Sequence, residues 1–299
     1  MKLVFYMSSG LPHPKNWLGI QRMCASYNIE FEYTNNIERL SVNNYDILYC
    51  MSNYIDPYSI PENIKVIYGP QLWVIPEAPM LGKFDENLKN RCVFNLLSSW
   101  VENYVREFGD FIMPIYHLPL AVDTYKFKPE EVKKEYDCIV YIKRRSNDLI
   151  NRCINVLDQK SLTYKIFRYG SYNEEEYLWT LQRSTFMLVL DAHESQGFAL
   201  QEAMSCNVPL LVIDAMSMYD EKCDGINSVY DFLKPKKLSA TSVPYWSHEC
   251  GVKINESNDL SDSIDKIMSN KYTPREYIVR TLSDNVCMKR IIDYFQLNV

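Results

Sequence analysis

The sequence contains no apolar run long enough to cross a bilayer and no block of basic residues. A transmembrane helix needs about 18 consecutive apolar residues. The N-terminal MKLVFYMSSG offers only about six apolar residues before polar Ser and Gly, too few for a secretory signal. The formal charge is −6, so the bulk electrostatics do not favour a nucleic-acid or anionic-membrane surface. We therefore expect a cytoplasmic protein that holds any anion at a local site.

The sequence also lacks paired cysteines. Its nine cysteines are scattered without CxxC spacing, and several lie within apolar runs such as YCM and DCIVYI. In such runs reduced cysteine packs as a small hydrophobic residue. The pattern indicates a reducing compartment. The sequence contains no internal repeat or low-complexity tract.

What the sequence does contain is a regular alternation of short apolar runs with amphipathic segments. With 299 residues, 47% of them hydrophobic, the chain is long enough for two domains at roughly 100 to 200 residues each. The alternation is interrupted by a proline-containing, charged stretch between Val122 and Glu135 and then restarts. In this second half the pattern predicts helices at NDLINRCINVLDQ and EEEYLWTLQ and a strand at VPLLVID. This pattern predicts an α/β protein with two Rossmann-like, doubly wound parallel sheets that face a central cleft. We expect an N-terminal domain over 1–125, a C-terminal domain over 126–285 and a final helix over 286–299 that crosses back to the N-terminal domain.

The stretch HESQGFALQEAMSCNVPLLVID, residues 193–214, has the features of a phosphate site. The run TFMLVLDA before it predicts a strand, ESQG a turn and FALQEAMSC a helix. Glycine at the turn permits a backbone conformation or a close ligand approach that larger residues do not allow. Free N–H groups at a helix start attract anions. The residues whose N–H groups would point toward solvent or an anion are Gln196, Gly197, Phe198 and Ala199.

Two glutamates stand eight positions apart in this stretch. Glu194 lies on the loop and Glu202 about one turn inside the predicted helix, so both carboxylates would project toward the same cleft. An ionised carboxylate accepts two hydrogen bonds, which suits a vicinal diol such as a ribose or a hexose. The alternative is that either glutamate is solvated and gains about 0.3 to 1 kcal/mol from the helix dipole.

These residues resemble the E-x7-E signature of retaining GT-B glycosyltransferases of the large family 4 type. That signature is a glutamate, a GFG-like turn, then EAMA, a glycine and a proline. The matching residues are Glu194, Gly197, Phe198, Glu202, Ala203, Met204 and Pro209. The chain departs from the signature at two positions, since Ala199 stands where the second turn glycine often occurs and Asn207 replaces the usual glycine.

Three further segments agree with the family in order and spacing. LPLAVDTYKFKP resembles the interdomain P-x-G-V-D-x-x-x-F-x-P segment, LLSSWVENYVREFG resembles the strand and helix before it, and CGVKINESNDLSDSIDKI resembles the close of the C-terminal domain. The likeness covers 90–299 and is strongest at 186–214. Residues 1–90 match only by their pattern.

The resemblance implies a role for each matched residue. Glu202 would hold the ribose hydroxyls of a sugar nucleotide, and Glu194 would touch the donor sugar or its reacting face. The backbone of residues 196–199 would hold the diphosphate.

Family members also balance the leaving diphosphate with an arginine from a VGR strand end and a lysine shortly after it. Here YIKRRSNDL places Lys143, Arg144 and Arg145 at that strand end, while Ile150 stands where the second cation usually lies. We expect the cluster to supply both charges, with Lys143 and Arg144 acting beside Glu194 in catalysis and Arg145 in donor binding. The alternative is a solvated basic strand end.

The N-terminal half matches the family less well. Ser9 and Gly10 in SSGLPHP occupy the place of the family's phosphate loop but lack a Gly-Gly pair. Gln71 stands where a histidine is often found, so it would contact a sugar hydroxyl without acting as a base. His13 is a further candidate for sugar or acceptor contact, with an exposed loop histidine as the equal alternative.

Recognition of the nucleotide base is assigned to the loop RYGSYNEEE. Its candidate residues are Tyr169, Gly170 and Tyr172. No spacing rule decodes the base, the sugar or the acceptor from such a loop. His117 and His193 are expected to be structural.

The expected function is transfer of a hexosyl or pentosyl group from a nucleotide-diphosphate sugar to a hydroxyl of a glycan, glycoprotein or lipid-linked acceptor. The resemblance implies retention of configuration, in which the acceptor attacks from the leaving-group face and gives its proton to the diphosphate. Because no DxD dyad stands out, we expect neither a metal nor another cofactor. No nucleic-acid partner is expected.

Two alternatives stay open. One is a nucleotide-sugar 2-epimerase on the same architecture, although its sequences lack a GFALQEAM-like turn. The other is a non-catalytic nucleotide-sugar-binding or scaffold protein, suggested by the atypical N-terminal loop and Gln71. Peripheral membrane contact also stays open, although no basic amphipathic helix argues for it. The abundance of Asn, Tyr, Lys and Ile is typical of an AT-rich microbial or large viral genome, so the location would be the host cytoplasm if the gene is viral.

Overall fold

The chain folds into two compact units. The structure, a computed structural model, describes residues 1–7, 14–51, 54–70, 86–106, 113–217, 239–255 and 259–297. Unit 1 comprises Met1–Ala121 and Leu282–Val299, and unit 2 comprises Val122–Thr281. The predicted domains end after residues 125 and 285, whereas the units divide after Ala121 and Thr281.

The described residues form strands and helices that alternate along most of the chain. The strands are β1 (Lys2–Tyr6), β2 (Glu30–Thr34), β3 (Ile47–Cys50), β4 (Lys65–Tyr68), β5 (Cys92–Asn95), β6 (Ile115–Tyr116), β7 (Tyr136–Lys143), β8 (Tyr164–Arg168), β9 (Ser184–Asp191), β10 (Leu210–Ile213) and β11 (Gly251–Ile254). The α-helices are α1 (Pro14–Ala25), α2 (Glu38–Val42), α3 (Glu102–Arg106), α4 (Asn147–Gln159), α5 (Glu174–Gln182), α6 (Phe198–Ser205), α7 (Leu260–Ser269), α8 (Pro274–Leu282) and α9 (Asp284–Phe295).

Unit 1 is built on a parallel sheet with the strand order β2-β1-β3-β4-β5-β6. Strands β3 and β5 are buried along their whole length. Strands buried on both faces favour continuous apolar runs, as in ILYC and CVFN, over alternating patterns. The core below this sheet includes Leu48, Val66 and Phe94.

The last helix of the chain belongs to unit 1, where α9 packs on α1. Arg22 of α1 joins the two places at which the chain enters and leaves this unit. Its guanidinium donates to the carbonyl of Ala121 at 3.0 Å and to Asp284 Oδ1 at 3.2 Å. Gly19 of α1 lies so close to the same segment that an added Cβ would be 3.3 Å from the Ala121 oxygen.

Unit 2 is built on a second parallel sheet with the strand order β11-β10-β9-β7-β8. Local signals define its helices. Ser146 caps α4 by accepting from the Leu149 N–H, and Asn173 caps α5 by accepting from the N–H groups of Glu175 and Glu176. The apolar face of α4, which includes Ile150, packs into the unit 2 core.

The predicted fold class of two α/β units, each on a parallel sheet, is confirmed. Helices α4 and α5 coincide with the predicted segments NDLINRCINVLDQ and EEEYLWTLQ. Four elements, namely α2, α8, β6 and β11, were not predicted. No helix in the described part of the chain is long and apolar enough to cross a membrane.

The strand order of unit 2 identifies where a ligand would bind. After β7 the chain adds β8 on one side, then returns to place β9 on the other side. In open α/β sheets, ligands bind beyond the carboxyl ends of the strands at such a reversal of order. The carboxyl ends of β7 and β9 therefore mark the expected site.

Candidate functional site

The site begins where β7 and β9 end side by side. Lys143, the last residue of β7, is in register with Asp191, the last residue of β9. The Ala192 N–H donates to the Lys143 carbonyl at 3.1 Å, which extends the pairing by one bond. The segments that leave these strands carry the predicted cations on one side and the predicted Glu194 on the other.

Lys143 and Glu194 form an ion pair at this edge. The Lys143 ammonium donates to Glu194 Oε1, and their side chains are only 10% and 13% exposed. The ammonium also lies 4.4 Å from the centre of the Tyr169 ring, a cation–π geometry. Two of the three predicted catalytic residues, Lys143 and Glu194, are thus brought together, with Tyr169 beside them.

The pair holds opposite charges although burial opposes both of them. Burial disfavours the charge on Lys143, but the carboxyl groups of Glu194 and Asp191 outweigh it and raise the Lys143 pKa. Burial likewise disfavours the charge on Glu194, but Lys143 and a hydrogen bond from Asp191 lower the Glu194 pKa. A lysine cation and a glutamate anion are therefore present together.

Asp191 is a fully buried carboxyl group in this cluster. Its side chain is fully buried, and Oδ1 accepts from the Ala192 N–H at 2.7 Å. Burial, followed by the nearby Glu194 charge, raises the Asp191 pKa well above its usual range. Asp191 was not among the site residues predicted from the sequence.

Arg144 and Arg145 extend the cationic strand end toward the neighbouring strands. Arg144 adopts a left-handed backbone with φ +53° and donates to the His193 carbonyl at 2.8 Å. Arg145 donates to the Ile213 carbonyl, at the end of β10, at 3.3 Å. Both guanidinium groups thus lie near carbonyls at strand ends. The interpretation as a solvated strand end does not fit these half-buried side chains.

The position at which the second cation usually lies is occupied by Ile150, a core residue. It is 5% exposed and packs in the core of unit 2. The basic side chains at this edge include the three consecutive residues at 143–145.

The turn before α6 has the predicted backbone geometry. Gly197 has φ +81°, a left-handed conformation that favours glycine. An added Cβ would lie 3.4 Å from both Cβ and Cγ of Glu194, so the turn also packs closely on that side chain. The side chains of Gln196 and Gln201 hold the turn, with Gln201 Nε2 donating to the Gln196 carbonyl at 2.6 Å. Residues 196–199 are therefore ordered into a helix start.

Glu202 lies under this turn, inside α6. It is 3% exposed. Its charge contributes, after burial, to raising the pKa of Tyr172, which places the carboxylate beside that phenol. The nearby Tyr177 donates from its hydroxyl to the Ala199 carbonyl in α6 at 2.7 Å.

The predicted base-contacting residues in the loop after β8 lie in different environments. Tyr172 is half-buried, with its ring 5.0 Å from that of Tyr177 and 5.6 Å from that of Phe167. Tyr169 is 56% exposed and lies over Lys143. Gly170 has φ +75° with open space around it. Tyr172 therefore supports the α6 turn, whereas Tyr169 and Gly170 offer an accessible surface.

Sequence analysis missed a second polar cluster at this edge. Asp214, which follows β10, accepts from the Thr241 hydroxyl at 2.9 Å and the Ser242 N–H at 2.7 Å, and pairs with Lys253 at 3.0 Å. The Thr241 carbonyl accepts from the Glu194 N–H at 3.1 Å. The segment around Thr241 thus braces the backbone of Glu194. The available signal was Asp214 itself, the acidic last residue of the predicted strand VPLLVID.

Burial makes His193 a weak base at this edge. His193 is buried, and burial followed by the Arg144 charge lowers its pKa to about 3. Its ring is therefore neutral at physiological pH. His117 lies in unit 1, 3.4 Å from Glu102.

Four predicted contact residues lie outside the described residues, namely Ser9, Gly10, His13 and Gln71. Their assignments stay predictions. Within the described part of the chain, no group of three or more His, Cys, Asp or Glu side chains is arranged to hold a metal ion. The expectation of metal-independent chemistry stays a prediction as well.

Comparison with known proteins places the fold. No protein-family profile matches the chain, and no curated protein sequence matches it. Solved structures do match it. The glycosyltransferase AviGT4, involved in avilamycin A biosynthesis, aligns with a TM-score of 0.61 and 11% identity over 99% of this chain and 97% of its own.

Two further matches cover nearly the whole chain. Sucrose-phosphate synthase from Thermosynechococcus elongatus has a TM-score of 0.58 and 9% identity over 99% of this chain and 98% of its own. Anabaena HepE, in complex with UDP and glucose, has a TM-score of 0.55 and 11% identity over 99% of both chains. Identities this low establish the fold alone, and that fold is GT-B.

Proposed function

We propose that this protein is a glycosyltransferase that moves a sugar from a nucleotide-diphosphate donor to a hydroxyl of a glycan or lipid-linked acceptor. One observation carries the proposal. Within a GT-B fold, the edge of the unit 2 sheet gathers the residues 143–145, the ionised Glu194 and the start of α6. Three basic side chains, a carboxylate and a helix start thus lie together at the reversal of strand order, where ligands bind in open α/β sheets.

Different groups at this edge would bind the diphosphate, the ribose and the sugar of the donor. The Lys143 ammonium, the Arg144 and Arg145 guanidinium groups and the N–H groups at the start of α6 would bind the diphosphate. Glu202, buried in the first turns of α6, would accept from the two ribose hydroxyls. Glu194 would accept from hydroxyls of the transferred sugar.

The same groups would assist departure of the diphosphate. When the bond between the sugar and the diphosphate breaks, negative charge grows on the leaving oxygen. Preorganised donors at this position are each worth about 2.7 to 4 kcal/mol in comparable sites. In the retaining reaction, the acceptor hydroxyl attacks from the leaving-group face, its proton passes to the departing diphosphate, and no protein base is required. This scheme is metal-independent.

The test is a donor panel with matched variants. UDP, GDP, TDP and CMP and their sugars are titrated by calorimetry into the wild type, Glu202→Gln and the control Glu176→Gln. Glu176 is an exposed residue of α5 paired with Lys165. We expect one nucleotide to bind the wild type and the control equally. Loss of one charged hydrogen-bonding group, about 1.5 to 3 kcal/mol, should weaken its binding to Glu202→Gln by roughly 10-fold to 150-fold.

Turnover then separates an enzyme from a binding protein. A radiolabelled donor is incubated with the protein in EDTA, with hydrolysis or transfer as the readout. Release of labelled sugar supports a metal-independent transferase. Binding without release would indicate a nucleotide-sugar-binding scaffold, and an epimerised sugar would indicate an epimerase. No binding by the folded protein would refute the proposal.

A further inference from the structure

Asp191 is a buried acidic group that the proposed mechanism does not use. It ends β9 at the reversal of strand order, in register with Lys143, and none of its surface is exposed. Its backbone is also fixed, since the Ser242 hydroxyl donates to the Asp191 carbonyl at 2.7 Å. A residue held so firmly beside the candidate site influences the groups around it.

The groups that face Asp191 carry both signs of charge. From β7 and the residue after it come Lys143 and Arg144, and from the loop after β9 come Glu194 and the neutral His193. Tyr141 of β7 is a further titratable neighbour. Glu194 is the one that shares a side-chain hydrogen bond with Asp191.

Two carboxyl groups can share a hydrogen bond only if one of them carries a proton. Oδ2 of Asp191 accepts no hydrogen bond from any described residue, as expected of the oxygen that bears the proton. Glu194 is the better anion of the two, because it alone forms the ion pair with Lys143. The geometry therefore assigns the proton to Asp191.

We propose that Asp191 is a positioning residue, whose protonated carboxyl group donates a hydrogen bond that holds the Glu194 carboxylate against Lys143. The inference about its proton stands independently of the proposed function. The consequence for donor binding rests on that function.

A neutral Asp191 matters for the charge of the site. With Asp191 protonated, Glu194 is the carboxylate beside Lys143 and Asp191 adds no second negative charge to the three cations at 143–145. An ionised Asp191 would add a second negative charge and repel Glu194. The proton thus fixes the orientation of Glu194 and preserves the positive charge that a diphosphate requires.

The first test measures the proton through stability. Asn in place of Asp191 also donates a hydrogen bond but never ionises. Above the ordinary aspartate pKa of about 3.9, the wild type must take up a proton on folding, so its stability falls as pH rises. Asp191→Asn has no such dependence. The ratio of the two unfolding equilibrium constants should therefore grow in favour of Asp191→Asn by up to about tenfold per pH unit between pH 5 and 8.

The matched control is Asp265→Asn, an exposed α7 residue that pairs with Lys160. Urea unfolding of the full chain at each pH gives the ratios. The control should show no growing gain. A wild type that is more stable than Asp191→Asn at pH 8, or a gain that does not change with pH, would overturn the assignment of the proton.

The second test measures positioning. UDP, GDP and TDP are titrated into the wild type, Asp191→Asn and Asp191→Ala. We expect Asp191→Asn to bind within about threefold of the wild type and Asp191→Ala to bind at least tenfold more weakly, since about 1.4 kcal/mol separates tenfold affinities. Equal loss in both variants would show that an ionised Asp191 is required and would refute the proposal. If none of the three binds any variant, the proposed function fails while the stability series still decides the state of Asp191.

Discussion

Replacing Lys143 by methionine should destabilise unit 2 far more than an ordinary lysine substitution does. Methionine keeps most of the apolar stem, so the change removes mainly the ammonium group. Glu194 would then keep a carboxylate that is 13% exposed and has lost its ion pair with Lys143. Removal of one partner from a buried pair costs about 3 to 5 kcal/mol. Because Glu194 is slightly exposed and can relieve the cost by taking up a proton, we expect about 3 kcal/mol at pH 7, at the lower end of that range.

The control is Lys160→Met, whose partner Asp265 is 69% exposed. An exposed pair of this kind is worth about 0 to 1 kcal/mol. Hydrogen exchange measured by mass spectrometry on peptides from β7 and β9 reports local opening in unit 2 for both variants. Adding Glu194→Gln to Lys143→Met should restore much of the loss, because the carboxylate charge that Lys143 balanced is then removed as well. The reasoning is refuted if Lys143→Met costs no more than Lys160→Met.

Three further variants test the surrounding structure. Gly197→Ala should cost about 1 kcal/mol from the left-handed backbone and should weaken nucleotide binding. Gly170→Ala, at a similar φ but in open space, should show the same loss of stability in thermal melts. Nucleotide binding by Gly197→Ala equal to that of the wild type would contradict a role for the packing of this turn. His193→Asn should remove part of the acid sensitivity. In the unfolded chain the histidine gains its proton below about pH 6.5, whereas in the folded protein its pKa is about 3, so the free energy of unfolding of the wild type should fall by up to about 1.4 kcal/mol per pH unit in that window. Parallel thermal-melt curves for the two proteins from pH 7 to 4 would refute this. Arg22→Met should destabilise unit 1 by about 2 kcal/mol through the loss of charged hydrogen bonds, against a few tenths for the exposed Lys289→Met, and urea unfolding that ranks them equally would count against a structural role for Arg22.

Local signals in the sequence predicted those parts of the fold that depend on neighbours in the chain. Helices α4 and α5 have a side-chain cap and a helical apolar period, so their bounds were predictable. Strand β11 and helix α2 have only four and five residues, too short for a period to show. Helix α8 begins at Pro274, and proline at the first position of a helix is a local start signal.

The candidate site was predictable where its residues are close in sequence. Glu194, Gly197 and Glu202 lie in one turn and helix, and their spacing was informative. The ion pair of Lys143 with Glu194 joins residues 51 positions apart, so it depends on the strand register. The protonation of Asp191 depends on complete burial, and no spacing rule reports burial. Such features follow from tertiary packing and require the structure.

The Lys143–Glu194 pair gives opposite expectations for a bare nucleotide and for its sugar conjugate. Without a donor, the ammonium is already bound to Glu194, so a diphosphate must compete with that carboxylate for it. Glu194→Gln removes the competing charge. If Glu194 also accepts from the sugar hydroxyls as proposed, the same change removes a contact that only the sugar conjugate makes. Calorimetry should therefore show tighter binding of the nucleoside diphosphate to Glu194→Gln than to the wild type, by about threefold to tenfold for roughly 1 kcal/mol. The nucleotide sugar should gain less or lose affinity. A parallel change for both ligands would show that Glu194 balances charge at this edge without contacting the sugar.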